Sequence, residues 1–121
     1  MARSERRFIA SADVVYSIVV DAARYPRWLV GARRVRVRDP SWPRAGSSFD
    51  HRVGAGPVEV HDATTVTKNV PGRILELNVR ARPFLEAIVR FEVRPDGEGC
   101  RLTMDEVPSA SIARWPRSSR P

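Results

Sequence analysis

Two periodicities divide the chain. Val14, Val15, Ile18, Val19 and Ala22 recur at the i, i+3, i+4, i+7 spacing of one helical face, which predicts an amphipathic helix over 12–23. Ser11 stands at its N-cap position, with Asp13 in the first turn beside the positive helix end. Pro26 disfavours helical geometry at Tyr25 and ends this run, yet it suits the first position of a short second helix over 26–29, which Gly31 can close. Residues 4–10 precede the helix as a strand, with Phe8 and Ala10 on one face and Ile9 on the other. From Arg34 onward the period falls to two, predicting strands over 34–39, 47–54, 58–68, 73–82, 84–94 and 99–107. The separators carry turn chemistry: Pro40–Gly46, Gly54-Ala55-Gly56-Pro57, Pro71-Gly72 and Asp96-Gly97.

Parity along these strands assigns two faces. The inward set contains Val35 and Val37; Phe49, His51 and Val53; Val58, Val60, Asp62, Thr64 and Val66; Leu75, Leu77 and Val79; Ala87, Val89, Phe91 and Val93; and Cys100, Leu102, Met104 and Glu106. The alternate positions are overwhelmingly charged, among them Arg34, Arg36, Asp50, Arg52, Glu76, Arg90 and Asp105, and are expected in solvent. A strand, two short helices and six strands in meander make an α+β fold with one antiparallel sheet rather than a βαβ fold. The stretch 25–49, where helix gives way to sheet between Trp28 and Trp42, is the organising junction.

Composition narrows the class. At 121 residues with 42% apolar content the chain forms one globular domain. No apolar run approaches membrane-spanning length and the N-terminus lacks a signal-like apolar region, so the expected location is the cytoplasm. Cys100 is the sole cysteine, expected as a reduced, buried thiol. The net charge of +7 raises nucleic-acid binding, but Lys68 is the only lysine and the arginines are scattered over solvent-facing strand positions. Arg33, Arg34, Arg36 and Arg38 form a local cluster without the interleaved aromatics that single-strand binders use. No nucleic-acid partner is expected.

The order of elements resembles the START-like, or SRPBCC, superfamily, in its polyketide cyclase/dehydrase and lipid-transport branch. The likeness rests on SADVVYSIVVDAARYPRW, Gly31 and Val35, DPSWPRAGSSF at 39–49, VPGRILEL at 70–77 and GEGCRLTMDEVP at 97–108. It spans residues 4–108 and implies a helix-grip fold, a curved sheet of about seven strands wrapped around a long C-terminal helix, with an apolar ligand between them. The resemblance therefore implies a cavity for a polyketide, lipid or isoprenoid-like molecule, lined by Trp28, Phe49, His51, Val60, Leu77, Val89, Phe91 and Met104. The START-like domain is expected to occupy 1–108, with 109–121 a disordered basic Pro/Ser-rich tail. SASIARWPRSSRP offers only Ile112 and Trp115 as large apolar groups, so the long helix is expected to be absent or very short. Three explanations stand: a second copy or another chain covers the sheet, Trp115 and Ile112 fold back as a plug, or the reading frame is shortened or shifted.

Candidate chemistry lies on the inward face. His51, Asp62 and Glu106 could orient a ligand's polar end or, in a cyclase or dehydratase step, shuttle protons from an environment where burial raises carboxylate pKa values. Each also has a plain reading as a hydrated or arginine-paired group near a strand end. His61 falls on the outward face. The two histidines lack metal-ligand spacing, and no phosphate loop or nucleophile elbow is present, so neither metal nor cofactor is expected. Trp28 and Trp42 suit corner packing as well as the rim of a ligand site. Ser47-Ser48 reads as a strand entrance.

Overall fold

The computed structural model describes residues 2–21, 32–37, 39–82 and 85–108. Strand β1 (Ala2–Phe8) leads into helix α1 (Ala12–Val19), and then come β2 (Ala32–Arg36), β3 (Ser48–Ala55), β4 (Val58–Val70), β5 (Ile74–Ala81), β6 (Leu85–Asp96) and β7 (Gly99–Pro108). The seven strands form one antiparallel sheet in the order β1-β7-β6-β5-β4-β3-β2. Strands β2 to β7 are a meander, and β1 closes on β7 with Phe8 opposite Cys100. The fold is α+β, as the periodicities require. The second helix expected over 26–29, Trp28, and the tail 109–121 expected to be disordered all lie outside the described residues.

Helix α1 begins where its capping chemistry places it: the Val14 N–H donates to Ser11 Oγ at 3.4 Å, and Asp13 occupies the first turn. The helical pattern continues toward Ala23, but α1 ends at Val19 with Val20 as its C-cap. Trp42 Nε1 donates to the Val20 carbonyl at 2.9 Å, satisfying an acceptor left open at the helix end. A side chain from the next loop thus replaces the helical turn that periodicity would have supplied.

That loop is organised by Asp39. Its Oδ1 accepts from the Ser41 N–H (2.9 Å) and Oγ (2.6 Å), while Oδ2 accepts from the Ser48 N–H (3.4 Å). Gly46, at φ +89°, lets the chain turn so that its N–H donates to the Val66 carbonyl and the Ser47 carbonyl accepts from Val66 N–H. Ser47 is buried with Oγ donating to the Arg44 carbonyl at 2.5 Å, a turn closure rather than a nucleophile.

The core occupies the inward face. Val15, Tyr16 and Val19 of α1 pack with Phe49, Val66, Leu75, Leu77, Val89, Phe91, Val93 and Cys100 in one contiguous cluster, and α1 lies chiefly against β6 and β7. Parity therefore places most of the inward list correctly. It fails at strand ends. Val37 lies past the end of β2 and is exposed, and Val58 is exposed at the start of β4; Ile9, expected on the face opposite Phe8, is 91% exposed past the end of β1.

Two further differences involve polar residues. The β4–β5 register shifts between Val66 and Lys68, so a bulge at Thr67 turns Asn69 inward opposite Leu75. Tyr16 Oη donates to Asn69 Oδ1, and Asn69 Nδ2 donates to the Pro43 carbonyl at 2.8 Å, joining α1, β4 and the loop. On the outer face Glu76, Arg90 and Asp105 are buried rather than solvated. They lie in register across β5, β6 and β7 and continue to Arg3 on β1. Arg90 Nε donates to Glu76 Oε2 at 2.9 Å, Thr67 Oγ1 to Glu76 Oε1 at 2.8 Å, and Arg3 Nε to Asp105 Oδ1 at 2.6 Å. Alternating charge in one cross-strand row is what permits these groups to leave water.

Candidate functional site

The inward face changes character along its length. At the α1 end it is closed by apolar side chains, Leu75, Phe91, Val93 and Cys100 among them. Farther along, Leu77, Val89 and Phe49 remain buried, while Met104, Val79 and Leu102 are partly covered. Phe49 meets Trp42 edge to face with ring centroids 4.9 Å apart, so this corner tryptophan braces the expected lining residue. Phe49 also lies edge-on to His51, centroids 5.9 Å apart. Of the residues expected to line a ligand site, Phe49, His51, Leu77, Val89 and Phe91 are buried on one face, Val60 and Met104 are half-buried, and Trp28 lies outside the described residues.

His51 is the anomaly on this face. It is 5% exposed, and its Nε2 has no hydrogen-bond partner among the described residues. Buried polar nitrogens are nearly always paired, because leaving one unsatisfied costs about 1–3 kcal/mol. Burial lowers the His51 pKa by penalising the imidazolium. The carbonyl of Ala63, the charges of Asp62 and Asp50, and the carbonyl of Arg80 pull the other way without prevailing. The ring is consequently neutral at physiological pH.

Asp62 sits directly across from His51 in the β3–β4 register. The expectation that burial raises its pKa fails, because Arg82 claims the carboxylate. Arg82 Nη2 donates to Oδ1 at 2.8 Å, and its Nε and backbone N–H both donate to Oδ2 at 3.0 Å; the Ala63 N–H adds a bond to Oδ1 at 2.8 Å. These bonds, the Arg82 side chain foremost, hold the Asp62 pKa well below the usual carboxylate range. Glu106 faces Val89 in the β6–β7 register and is half-buried, away from the β3–β4 pair of His51 and Asp62. The three candidates thus do not form one proton-handling cluster: His51 and Asp62 adjoin, and Asp62 is committed to an arginine.

The groove of about 570 Å³ beside these strands lies elsewhere. Arg34, Arg36, Asp50, Arg52, His61 and Ala63 line it together with His51 and Asp62. In the β2–β3–β4 register the first six occupy the positions alternating with Val35, Phe49, His51 and Asp62, so the groove opens on the arginine-bearing outer face. The groove shares His51 and Asp62 with the inward face, while its arginines stand at the alternate positions.

Residues 2–119 match the family model described as "Polyketide cyclase / dehydrase and lipid transport". The chain belongs to that family. A comparison with curated proteins gives no match. Among solved structures, a START superfamily protein from Mycobacterium smegmatis aligns with a TM-score of 0.71 at 19% identity, covering 93% of this chain and 83% of that one. A Deinococcus radiodurans protein gives 0.70 at 18% identity, covering 88% and 81%. A Rhizobium loti protein gives 0.63 at 24%, covering 93% and 85%. These likenesses establish the shared fold. For a member of the polyketide cyclase/dehydrase and lipid transport family, the sheet-dominated helix-grip architecture and a ligand-related role follow at that general level. Among the described residues no helix is long and apolar enough to cross a membrane.

Sequence reasoning missed two polar residues of the family member's inward face. Asn69 was hidden by the Thr67 bulge, which no composition signal marks. Arg82 lies just past the end of β5, and only the three-dimensional register brings it to Asp62.

Proposed function

We propose that this protein binds a small, mostly apolar molecule against the inward face of the sheet, with a hydroxyl or comparable donor directed at His51 Nε2. One observation carries the reading: a buried imidazole nitrogen without a partner among the described residues, at the edge of an otherwise apolar surface. In this reading the ring hydrogen sits on Nδ1, and Nε2 is the open acceptor. Nε2 then presents a lone pair, which selects a ligand that donates. Phe49, Leu77, Val89 and Met104 would supply apolar contact, and Phe49 would offer its ring to a flat ligand. A polyketide, a hydroxylated lipid or an isoprenoid alcohol meets this description. Family membership supports the general role, and the residue assignments rest on the geometry alone.

The same lone pair could accept a proton from an enol or phenol, the first move of a cyclase or dehydratase. Binding is the better supported reading, because Asp62, the adjacent group, is held ionised by Arg82 and is a poor proton donor. A hydrophobic ligand between the sheet and a second copy or partner chain is a variant of the same reading.

The test compares 2-naphthol with 2-methoxynaphthalene, which keeps the rings and loses the donor, by fluorescence titration. Wild-type protein is expected to prefer 2-naphthol by roughly 5-fold or more, the effect of one hydrogen bond of about 1 kcal/mol. His51→Phe should bind the two equally. Equal binding by wild type would overturn the His51 assignment, and no binding of either would overturn the apolar site.

A further inference from the structure

We infer that the groove on the outer face of β2, β3 and β4 is an anion site for a phosphate-bearing ligand. The argument begins with an unfavourable pairing. Arg34 is in register with Arg52, and Arg52 with His61, so three basic side chains stand directly opposite one another on adjacent strands. Neighbouring strands lie about 4.8 Å apart, and like charges at that spacing destabilise a sheet. Arg36 follows two residues beyond Arg34 on the same face, roughly 7 Å along β2.

The rest of the outer face handles the same problem differently. Arg7, Arg101 and Arg94 also stand opposite one another, but each has a carboxylate: Arg7 with Asp96 at 3.3 Å, Arg101 with Glu5 at 2.9 Å and Asp96 at 3.1 Å, and Arg94 with Glu92 at 2.8 Å. Arg80 pairs with Glu86 and Arg90 with Glu76. In the groove one carboxylate serves two basic side chains, Glu59 lying 3.8 Å from Arg52 and 3.4 Å from His61. Arg34 and Arg36 make no ion pair with any described residue. Of the acidic lining residues, Asp62 is neutralised by Arg82, and Asp50 stands opposite Arg36 in the β2–β3 register without an ion pair between them.

The result is a recess of about 570 Å³ with two uncommitted guanidinium groups on one wall and a third, shared one beside them. Guanidinium groups present donors in a planar fork that matches phosphate oxygens, so adjacent arginines suit a phosphate monoester or diester better than a compact halide. The volume accommodates a phosphate with an organic substituent. The chemistry has two sources, a soluble phosphorylated molecule or the headgroup of a phospholipid. Its arginines alternate along the strands with the inward residues of the proposed apolar site, and the inference does not depend on that site.

The experiment titrates the protein with pyrophosphate by calorimetry, and separately with phosphatidylcholine vesicles with and without phosphatidylglycerol. It compares wild type, Arg34→Gln/Arg36→Gln, Arg34→Lys/Arg36→Lys, and Arg94→Gln as a distant single-charge control. Saturable pyrophosphate binding is expected, weakened at least 10-fold in the double glutamine variant, partly kept by the lysine variant and unchanged by Arg94→Gln. Vesicle binding that requires phosphatidylglycerol and is displaced by pyrophosphate would name the headgroup as the source. Pyrophosphate binding without vesicle binding would name a soluble ligand. Absence of pyrophosphate binding, or an equal loss in Arg94→Gln, would overturn the proposal. The lysine variant keeps the charge on the strand, so it reports on binding even if the glutamine variant folds poorly.

Discussion

His51 concentrates the account at the scale of a single residue. An unpaired buried nitrogen is unfavourable to the free protein, so replacing it should help the fold while harming the site. His51→Phe is expected to raise the stability of ligand-free protein by about 1 kcal/mol in urea denaturation at pH 7.5. The pH dependence follows from the lowered His51 pKa. Below the ordinary histidine pKa of 6.5 the unfolded chain takes up a proton that the folded protein resists. The contribution is therefore intact above 6.5 and is lost as pH falls from there toward the folded-state value. The stability advantage of His51→Phe should widen between pH 7.5 and pH 5.5; an advantage that narrows would mean the folded ring is readily charged. Parity alone placed His51 inward beside Asp62. What it could not supply was the state of each group, because pairing with Arg82 depends on where β5 ends rather than on any spacing in sequence.

At the scale of elements, the meander, α1 and the turns at Gly46, Gly56, Gly72 and Gly97 were legible because period and turn chemistry agreed there. The strand termini were not: Ile9 and Val37 continue an apolar pattern past the last paired residue, and Val58 is exposed at the first pair of β4. The outer-face row was also misread. Glu76, Arg90 and Asp105 look like ordinary solvent-facing charges in each strand taken singly, and only their alignment across β5, β6 and β7 shows that opposite signs meet. Glu76 is fully buried and Arg90 nearly so. Arg90→Leu should therefore cost about 3–5 kcal/mol by stranding the Glu76 carboxylate, whereas Glu76→Leu/Arg90→Leu should recover most of that loss. Equilibrium urea denaturation of the three proteins decides the matter. A single variant within about 1 kcal/mol of wild type would show that water reaches the pair.

At the scale of the molecule, the sheet separates two chemistries. One face is apolar from α1 to Phe49 and ends at the His51 imidazole; the other carries arginines, balanced by carboxylates except beside β2. Family and fold were readable from 39–49, 70–77 and 97–108 because those segments encode the Asp39 loop, the Gly72 turn and the β7 strand that the architecture needs. Ligand identity was not readable, since an apolar face specifies area and leaves chemistry to a few polar atoms. The central claim is that one such atom, His51 Nε2, is an unprotonated acceptor awaiting a donor. Nitrogen-15 NMR of histidine-labelled protein at pH 7, titrated with 2-naphthol, measures it directly. The account predicts a protonated Nδ1 and a bare Nε2 in the free protein, with Nε2 alone moving upfield on binding and His61 unaffected. A protonated Nε2, or one that stays unmoved at saturating 2-naphthol, would contradict it.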